Sequence, residues 1–187
     1  SLTRLRTDRI DLWQIHRPDV LTHPQEIART IEDAHKAGKI RAFGVSNFTQ
    51  AQITALAQFS AVPIVSTQPE LSPLRIDTIE NGELDQAIAM DLAVMAWSPL
   101  GGGRIGEPQN VREQNVAAAL SGVAAAHNVS CTAAAYSWIM AHPARPIPIV
   151  GSQNPARIIE AADAFKIQWT RADWYSVLVA ARGVPLP

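Results

Sequence analysis

His16 closes an apolar, strand-forming run, residues 9–16 (RIDLWQIH), and Arg17-Pro18-Asp19 stops that run immediately afterwards. A histidine at such a point either packs at a sheet end or faces a ligand as a hydrogen-bond donor. Ser46 and Asn47 follow a second buried run, residues 42–45, where their types suit hydrogen bonding better than packing, although both also suit a helix cap. Gln68 ends a third run and is held against Pro69, with few structural reasons for an amide there. Trp97-Ser98-Pro99-Leu100-Gly101-Gly102-Gly103-Arg104 follows a fourth run, and Val150-Gly151-Ser152-Gln153-Asn154 ends a fifth. Glycine-rich loops let backbone N–H groups approach phosphate, with Arg104 a candidate partner for that charge. Gly151 to Asn154 also precede a helix start, where free N–H groups favour anions.

Composition bounds what surrounds these residues. At 187 residues, 47% hydrophobic and 18% charged, the chain can bury a full core and is not of disordered type. A formal net charge of -1 gives no general attraction to nucleic acid or to an anionic membrane, so neither is expected as a partner. The single cysteine, Cys131, excludes an intramolecular disulfide and points to a reducing, cytoplasmic setting. Its helical context reads as a small buried hydrophobe, not a reactive thiol. The most apolar run, residues 116–126, is too short to span a bilayer. No metal-ligand pattern stands out.

The elements that must position the polar residues alternate. Residues 1–6 read as a helix remnant with Leu2 and Leu5 on one face, and residues 24–37 as an amphipathic helix. Pro24 lies in that helix's first turn, Ile27, Ile31 and Ala34 mark its face, and Gly38 ends it. Further helices are expected over 49–59 (capped by Thr49), 81–90 (Leu84, Ala87 and Ile88 inward), 111–127, 132–142, 156–164 and from about Arg171, capped by Thr170. Strands are expected over 9–16, 42–45, 62–68, 92–97 and 146–150. Strand-helix alternation implies a parallel sheet with crossover connections. A (β/α) barrel is favoured over a doubly wound sheet. No Gly-rich fingerprint follows the first strand, and polar residues follow nearly every strand. A complete barrel needs eight strands and typically about 250 residues, so these five units read as the later part of a (β/α)8 TIM-type barrel. No linker or repeat divides residues 1–187, which are expected to form a single, incomplete barrel domain.

Five segments carry a resemblance to the aldo-keto reductases: LWQIHRPD (12–19), GKIRAFGVSNF (38–48), STQPELSPL (66–74), AWSPLGGG (96–103) and PIVGSQNPARI (148–158). They stand in the family's order and cover essentially the whole chain. The resemblance implies that an aldehyde or ketone is reduced by hydride transfer from NADPH, with NADH as the other candidate. It implies that His16 is the active-site histidine, donating to the substrate oxygen as negative charge develops there. Ser46, Asn47 and Gln68 would hold the nicotinamide carboxamide, and Trp97 would stack on its ring. Ser98, Pro99, Leu100, Gly101, Gly102 and Arg104 would meet the pyrophosphate. Val150, Gly151, Ser152, Gln153, Asn154, Arg157 and Glu160 would surround the adenosine end. The chain carries Gln153 and Asn154 where many members carry a Lys or Arg for the 2′-phosphate, and Ala161 where an Asn is frequent.

The family's catalytic group also contains an Asp, a Tyr proton donor and a Lys, all in strand-loop units that precede these five. Tyr136 and Tyr175, the two tyrosines, fall in late helices and read as core or surface positions. The expectation is a reductase chain that holds the histidine and most of the cofactor site and lacks the acid. The alternative is a non-catalytic nucleotide-binding or subunit-like protein derived from a truncated reductase. Open strand edges would favour self-association or pairing with a missing N-terminal part.

Overall fold

A computed structural model describes residues 1–186. The elements run α1 (Leu2–Leu5), β1 (Ile10–Ile15), α2 (Pro24–Lys36), β2 (Ile40–Ser46), α3 (Gln50–Phe59), β3 (Ile64–Gln68) and α4 (Asp77–Glu80). Then come α5 (Glu83–Ala89), β4 (Ala93–Ala96), α6 (Val111–Ala126), α7 (Cys131–Met140), β5 (Ile147–Pro148), α8 (Pro155–Ala161) and α9 (Arg171–Arg182). Short 3-10 turns cover Gly101–Gly103 and Ala162–Lys166. Consecutive strands pair, all in parallel. The residues gather into two compact units, Ser1–Pro69 with Gly82–Val94, and Glu70–Asn81 with Met95–Pro187.

In the first unit, local signals set each helix. Pro24 opens α2 behind the His23 ring, whose Nδ1 accepts from the Gln25 N–H at 3.2 Å. At the other end Gly38 takes φ +69°, and Lys39 N–H closes back to Ala34 O at 3.0 Å. Thr49 caps α3 in a reciprocal box with Gln52. The β2 segment Phe43-Gly44-Val45-Ser46 is buried at every position, as a parallel strand covered on both faces should be. By contrast β1, which pairs only with β2 among the described residues, has no fully buried residue.

Across these strands the register aligns Gln14 with Gly44 and Gly44 with Ser66. Ser66 Oγ donates to Gln14 Oε1 at 2.8 Å, and Gln14 Nε2 donates to Val45 O at 3.3 Å. A Cβ on Gly44 would collide with both Ser66 Oγ and Gln14 Oε1. The row is therefore polar, and it closes only because its central residue has no side chain.

The second unit is built on α6, α7 and α9. Asn110, Ser130 and Thr170 each accept from the backbone N–H three residues on. All of residues 133–139 in α7 are buried. Trp138 and Trp174 stack at 4.9 Å with rings 12° apart, and each indole N–H donates to the other's carbonyl at 3.0 Å. Arg112 ties down two chain segments, donating to Leu74 O at 2.9 Å and Ala181 O at 2.6 Å.

The elements differ from the sequence expectations in detail. A single helix over 81–90 is instead α4, then a break at Gly82 (φ +85°), then α5; Ile88, expected inward, is 50% exposed. The strand expected over 146–150 shrinks to Ile147–Pro148, because Pro148 lacks an N–H, although Ile149 N–H still reaches Ala96 O at 2.9 Å. The helix expected over 156–164 ends at Ala161 and continues as a 3-10 turn. The helix remnant expected over 1–6 is present as α1, and it has no buried residue.

Candidate active and cofactor site

The polar residues at the strand ends of the first unit are joined by hydrogen bonds. Ser46, last in β2 and 1% exposed, donates from Oγ to Gln68 O at 2.8 Å. Asn47 follows at φ +60°, a left-handed conformation that Asn tolerates better than most residues. Its Nδ2 donates to His16 O and to Ser46 Oγ, both at 3.1 Å, and its N–H donates to Gln68 O at 3.3 Å. His16, Ser46, Asn47 and Gln68 are therefore joined, through the backbone carbonyls of His16 and Gln68. Because Thr49 caps α3, Ser46 and Asn47 are not capping residues.

His16 itself is exposed, with its backbone carbonyl held by Asn47. The half-buried Gln68 uses its backbone carbonyl to brace Ser46 and Asn47, while its side-chain amide makes no hydrogen bond to a described residue. A separate, mainly apolar cavity of about 500 Å³ lies between β1 and α2, with His16 at its edge. Gln14, which supports β2 from below, was not anticipated. Its signal was a polar residue alternating with Trp13 and Ile15 inside an apolar strand.

In the second unit a cavity of about 640 Å³ collects most of the remaining predicted residues. Ser98, Pro99, Leu100, Gly102 and Arg104 line it from the loop after β4. Gly151, Ser152, Arg157 and Glu160 line it from the segment after β5. Trp97, Gly101, Val150, Gln153 and Asn154 do not line it. Trp97 is half-buried, and its carbonyl accepts from Leu71 N–H at 3.3 Å. Asn154 caps α8, accepting from Ala156 N–H at 2.9 Å.

The loop's shape rests on positive φ at Ser98 (+52°), Gly101 (+59°), Gly102 (+68°) and Gly103 (+92°). At Gly101 a Cβ would come within 2.8 Å of Leu74 Cδ1, so the residue is fixed by both conformation and space. Arg104 donates from Nε to Gly101 O at 3.1 Å and from Nη1 to Glu113 Oε1 at 2.9 Å. Glu113 is 2% exposed and takes a further bond from Gln109 N–H at 2.8 Å. That N–H, with the Arg104 and Arg112 charges behind it, holds the carboxyl below its ordinary value against the opposing effect of burial. Sequence reasoning found Arg104 and missed Glu113, whose burial no local pattern announces.

Two other titratable groups of the second unit are moved, and in the first unit the Leu21 N–H and the Thr22 hydroxyl hold the Asp19 carboxyl down. Burial pushes the Cys131 thiol up, although the residue is only half-buried where its helical context suggested a fully buried one. Burial, with the Glu160 charge, pushes Tyr136 up. Among the described residues no group of three or more His, Cys, Asp or Glu is placed to hold a metal, and no single helix is long and apolar enough to cross a membrane.

The aldo/keto reductase family model matches residues 1–178. The chain belongs to that family. This aldo/keto reductase chain is 62% identical over 187 residues to 6-dehydroglucose reductase of Novosphingobium aromaticivorans, and 37% identical over 191 residues to oxidoreductase YdhF of Escherichia coli. In both comparisons all of the chain is covered, and it spans 62% of the relative's length. A solved glycerol dehydrogenase, AKR11B4 from Gluconobacter oxydans, superposes with a TM-score of 0.86 at 28% identity, over 100% of this chain and 63% of that one. The thermostable aldo-keto reductase Tm1743 gives the same TM-score at 23% identity, over 96% and 62%, and bears on the fold alone. The five parallel strand-helix units are thus a part of an aldo-keto reductase (β/α)8 barrel, as the alternation and the absent dinucleotide fingerprint implied.

Proposed function

We propose that this chain is the cofactor-holding part of a reductase that converts an aldehyde or ketone to the alcohol with NADPH, NADH being the alternative donor. The observation that carries the reading is the second-unit cavity, where nine residues marked from sequence meet beside a glycine loop. The backbone N–H of Gly102 suits a phosphate oxygen, whereas that of Gly103 donates to Leu100 O at 3.1 Å, and Arg104 and Arg157 add positive charge. Gln68, with its side-chain amide unused by the protein, pairs with the nicotinamide carboxamide, and Ser46 and Asn47 hold it in place. Trp97 stacks on the ring. Asn154 is engaged in capping and Gln153 carries no charge, so discrimination for a 2′-phosphate rests on Arg157.

A reduced nicotinamide supplies the hydride that adds to the carbonyl carbon. His16 then donates a hydrogen bond to the oxygen on which negative charge collects. The proton that completes the alcohol comes from an acid outside these 187 residues. The relative named 6-dehydroglucose reductase suggests an oxidised sugar as substrate class.

Tryptophan fluorescence during NADPH and NADH titration, with carbonyl-dependent NADPH oxidation in parallel, tests this. Saturable binding without turnover by these 187 residues alone is expected. Absence of binding to either dinucleotide overturns the reading. Turnover that survives His16→Ala but is lost when both tyrosines are replaced by Phe would move the acid to a late helix. The alternative of a non-catalytic nucleotide-binding or subunit-like protein predicts binding but no turnover even with the acid-bearing part of a reductase supplied.

A further inference from the structure

The pairing of β2 with β3 shifts by one residue part-way along. Phe43 pairs with Ile64, but its neighbour Gly44 pairs with Ser66, so Val65 is an extra residue in β3. Such an insertion re-aims side chains, because every residue beyond it changes its partner and its facing. Here the shift sets Gln68 opposite Ser46, where an unbroken register would set Thr67. The bond from Ser46 Oγ to Gln68 O therefore depends on one extra residue earlier in β3.

Gln14 reaches across at the first pair beyond the shift, Gly44 with Ser66. Its amide is engaged at both ends: Oε1 accepts from Ser66 Oγ at 2.8 Å, and Nε2 donates to Val45 O at 3.3 Å. Val45 O belongs to the peptide that leads into Ser46. Ser66 and Val45 are both buried, so these bonds form where water competes little. A leucine at position 14 would suit an apolar strand as well, yet it would leave the Ser66 hydroxyl without this partner and the shift without its tie.

Resting on the cofactor reading above, we infer that Gln14 is a positioning residue for the nicotinamide end of the site. By tying Ser66 to the Val45–Ser46 peptide it locks the shifted register that brings Gln68 beside Ser46. Gln14 acts through Ser46 and Gln68, not on the cofactor itself, and its effect falls on the nicotinamide.

Gln14→Leu and the milder Ser66→Ala each break the tie without adding bulk, and thermal unfolding checks that both variants fold. The probes are NADPH and NADH, each compared by calorimetric titration with its counterpart lacking the nicotinamide, 2′-phospho-ADP-ribose or ADP-ribose. Each variant is expected to weaken the dinucleotide by about three- to tenfold and to leave the nicotinamide-free counterpart at its wild-type affinity. A merely structural role would move the two ligands together, or neither. The double variant is expected to lose no more than Gln14→Leu alone, since both changes remove one bond. Equal losses on the two ligands, no loss, or additive losses in the double variant overturns the inference and leaves cofactor binding standing. Equal binding of dinucleotide and counterpart by wild type overturns it as well. Binding of no probe by wild type overturns the cofactor reading, and this inference with it.

Discussion

Ser66 Oγ donates to Gln14 Oε1 at 2.8 Å directly over the bare Cα of Gly44. Three neighbouring strands meet at this point, and the two residues are 52 positions apart in sequence. The bond fixes the relative height of β1, β2 and β3, and so the height of the strand ends that carry His16, Ser46 and Gln68.

Gly44→Ala places a methyl group into that bond and within 2.8 Å of Ser66 O. The backbone oxygen cannot rotate away, so overpacking of about 1–3 kcal/mol is expected. Thermal unfolding should show a lower midpoint for Gly44→Ala than for Ser66→Ala, which loses one hydrogen bond without a clash.

Asn47 both holds His16 O and adopts φ +60°. Asn47→Ala loses the bonds and keeps the strain, whereas Asn47→Gly loses the bonds and relieves it. The glycine variant should therefore be the more stable of the two by about 1 kcal/mol. Equal stability in urea titrations would show that the positive φ carries no strain.

His16→Ala removes a donor from an exposed position and should leave the unfolding midpoint near that of wild type. In an assembled, active reductase it should lower kcat about 100-fold or more with little change in cofactor affinity. Loss of NADPH binding in this variant would instead place His16 in the cofactor site.

Glu113 has a folded-state pKa held down, first by Gln109 N–H and then by the Arg104 charge. A depressed carboxylate stabilises the fold above its unfolded value, and that contribution is lost as pH falls through the folded value. The wild-type unfolding midpoint should therefore drop more steeply than that of Glu113→Gln below the ordinary value of 4.5. Parallel pH profiles for the two proteins would contradict this account. Glu113→Gln also frees Arg104, so NADPH affinity should become more salt-dependent, measured by titration at two ionic strengths.

Trp174→Phe abolishes the indole bond to Trp138 O and reduces the stacked area. A loss of about 1–3 kcal/mol is expected, with collapse of the near-ultraviolet circular dichroism of the coupled indoles.

Local information reached far along this chain. Pro24, Thr49 and Thr170 marked helix starts, and Gly38 marked a stop, because each cap is decided within a few residues. The strand-helix alternation led to parallel pairing for the same reason. The residues after each strand were legible as polar types where packing offered them nothing. The short α4 before Gly82 was missed because its four residues, Asp77–Glu80, make barely one turn, too short to show a helical period.

What the sequence by itself determined is the order of elements, the family they belong to and which residue types stand at the strand ends. Only the tertiary structure decided that Gln14 and Ser66 bond over Gly44, that Arg104 is paired with a buried Glu113, and that Tyr136 opens on a cavity. Those relationships depend on strand register and helix packing, which bring together residues separated by 9 to 52 positions. No local preference encodes them, because a hydrogen-bond partner becomes defined only when burial has removed water as its competitor.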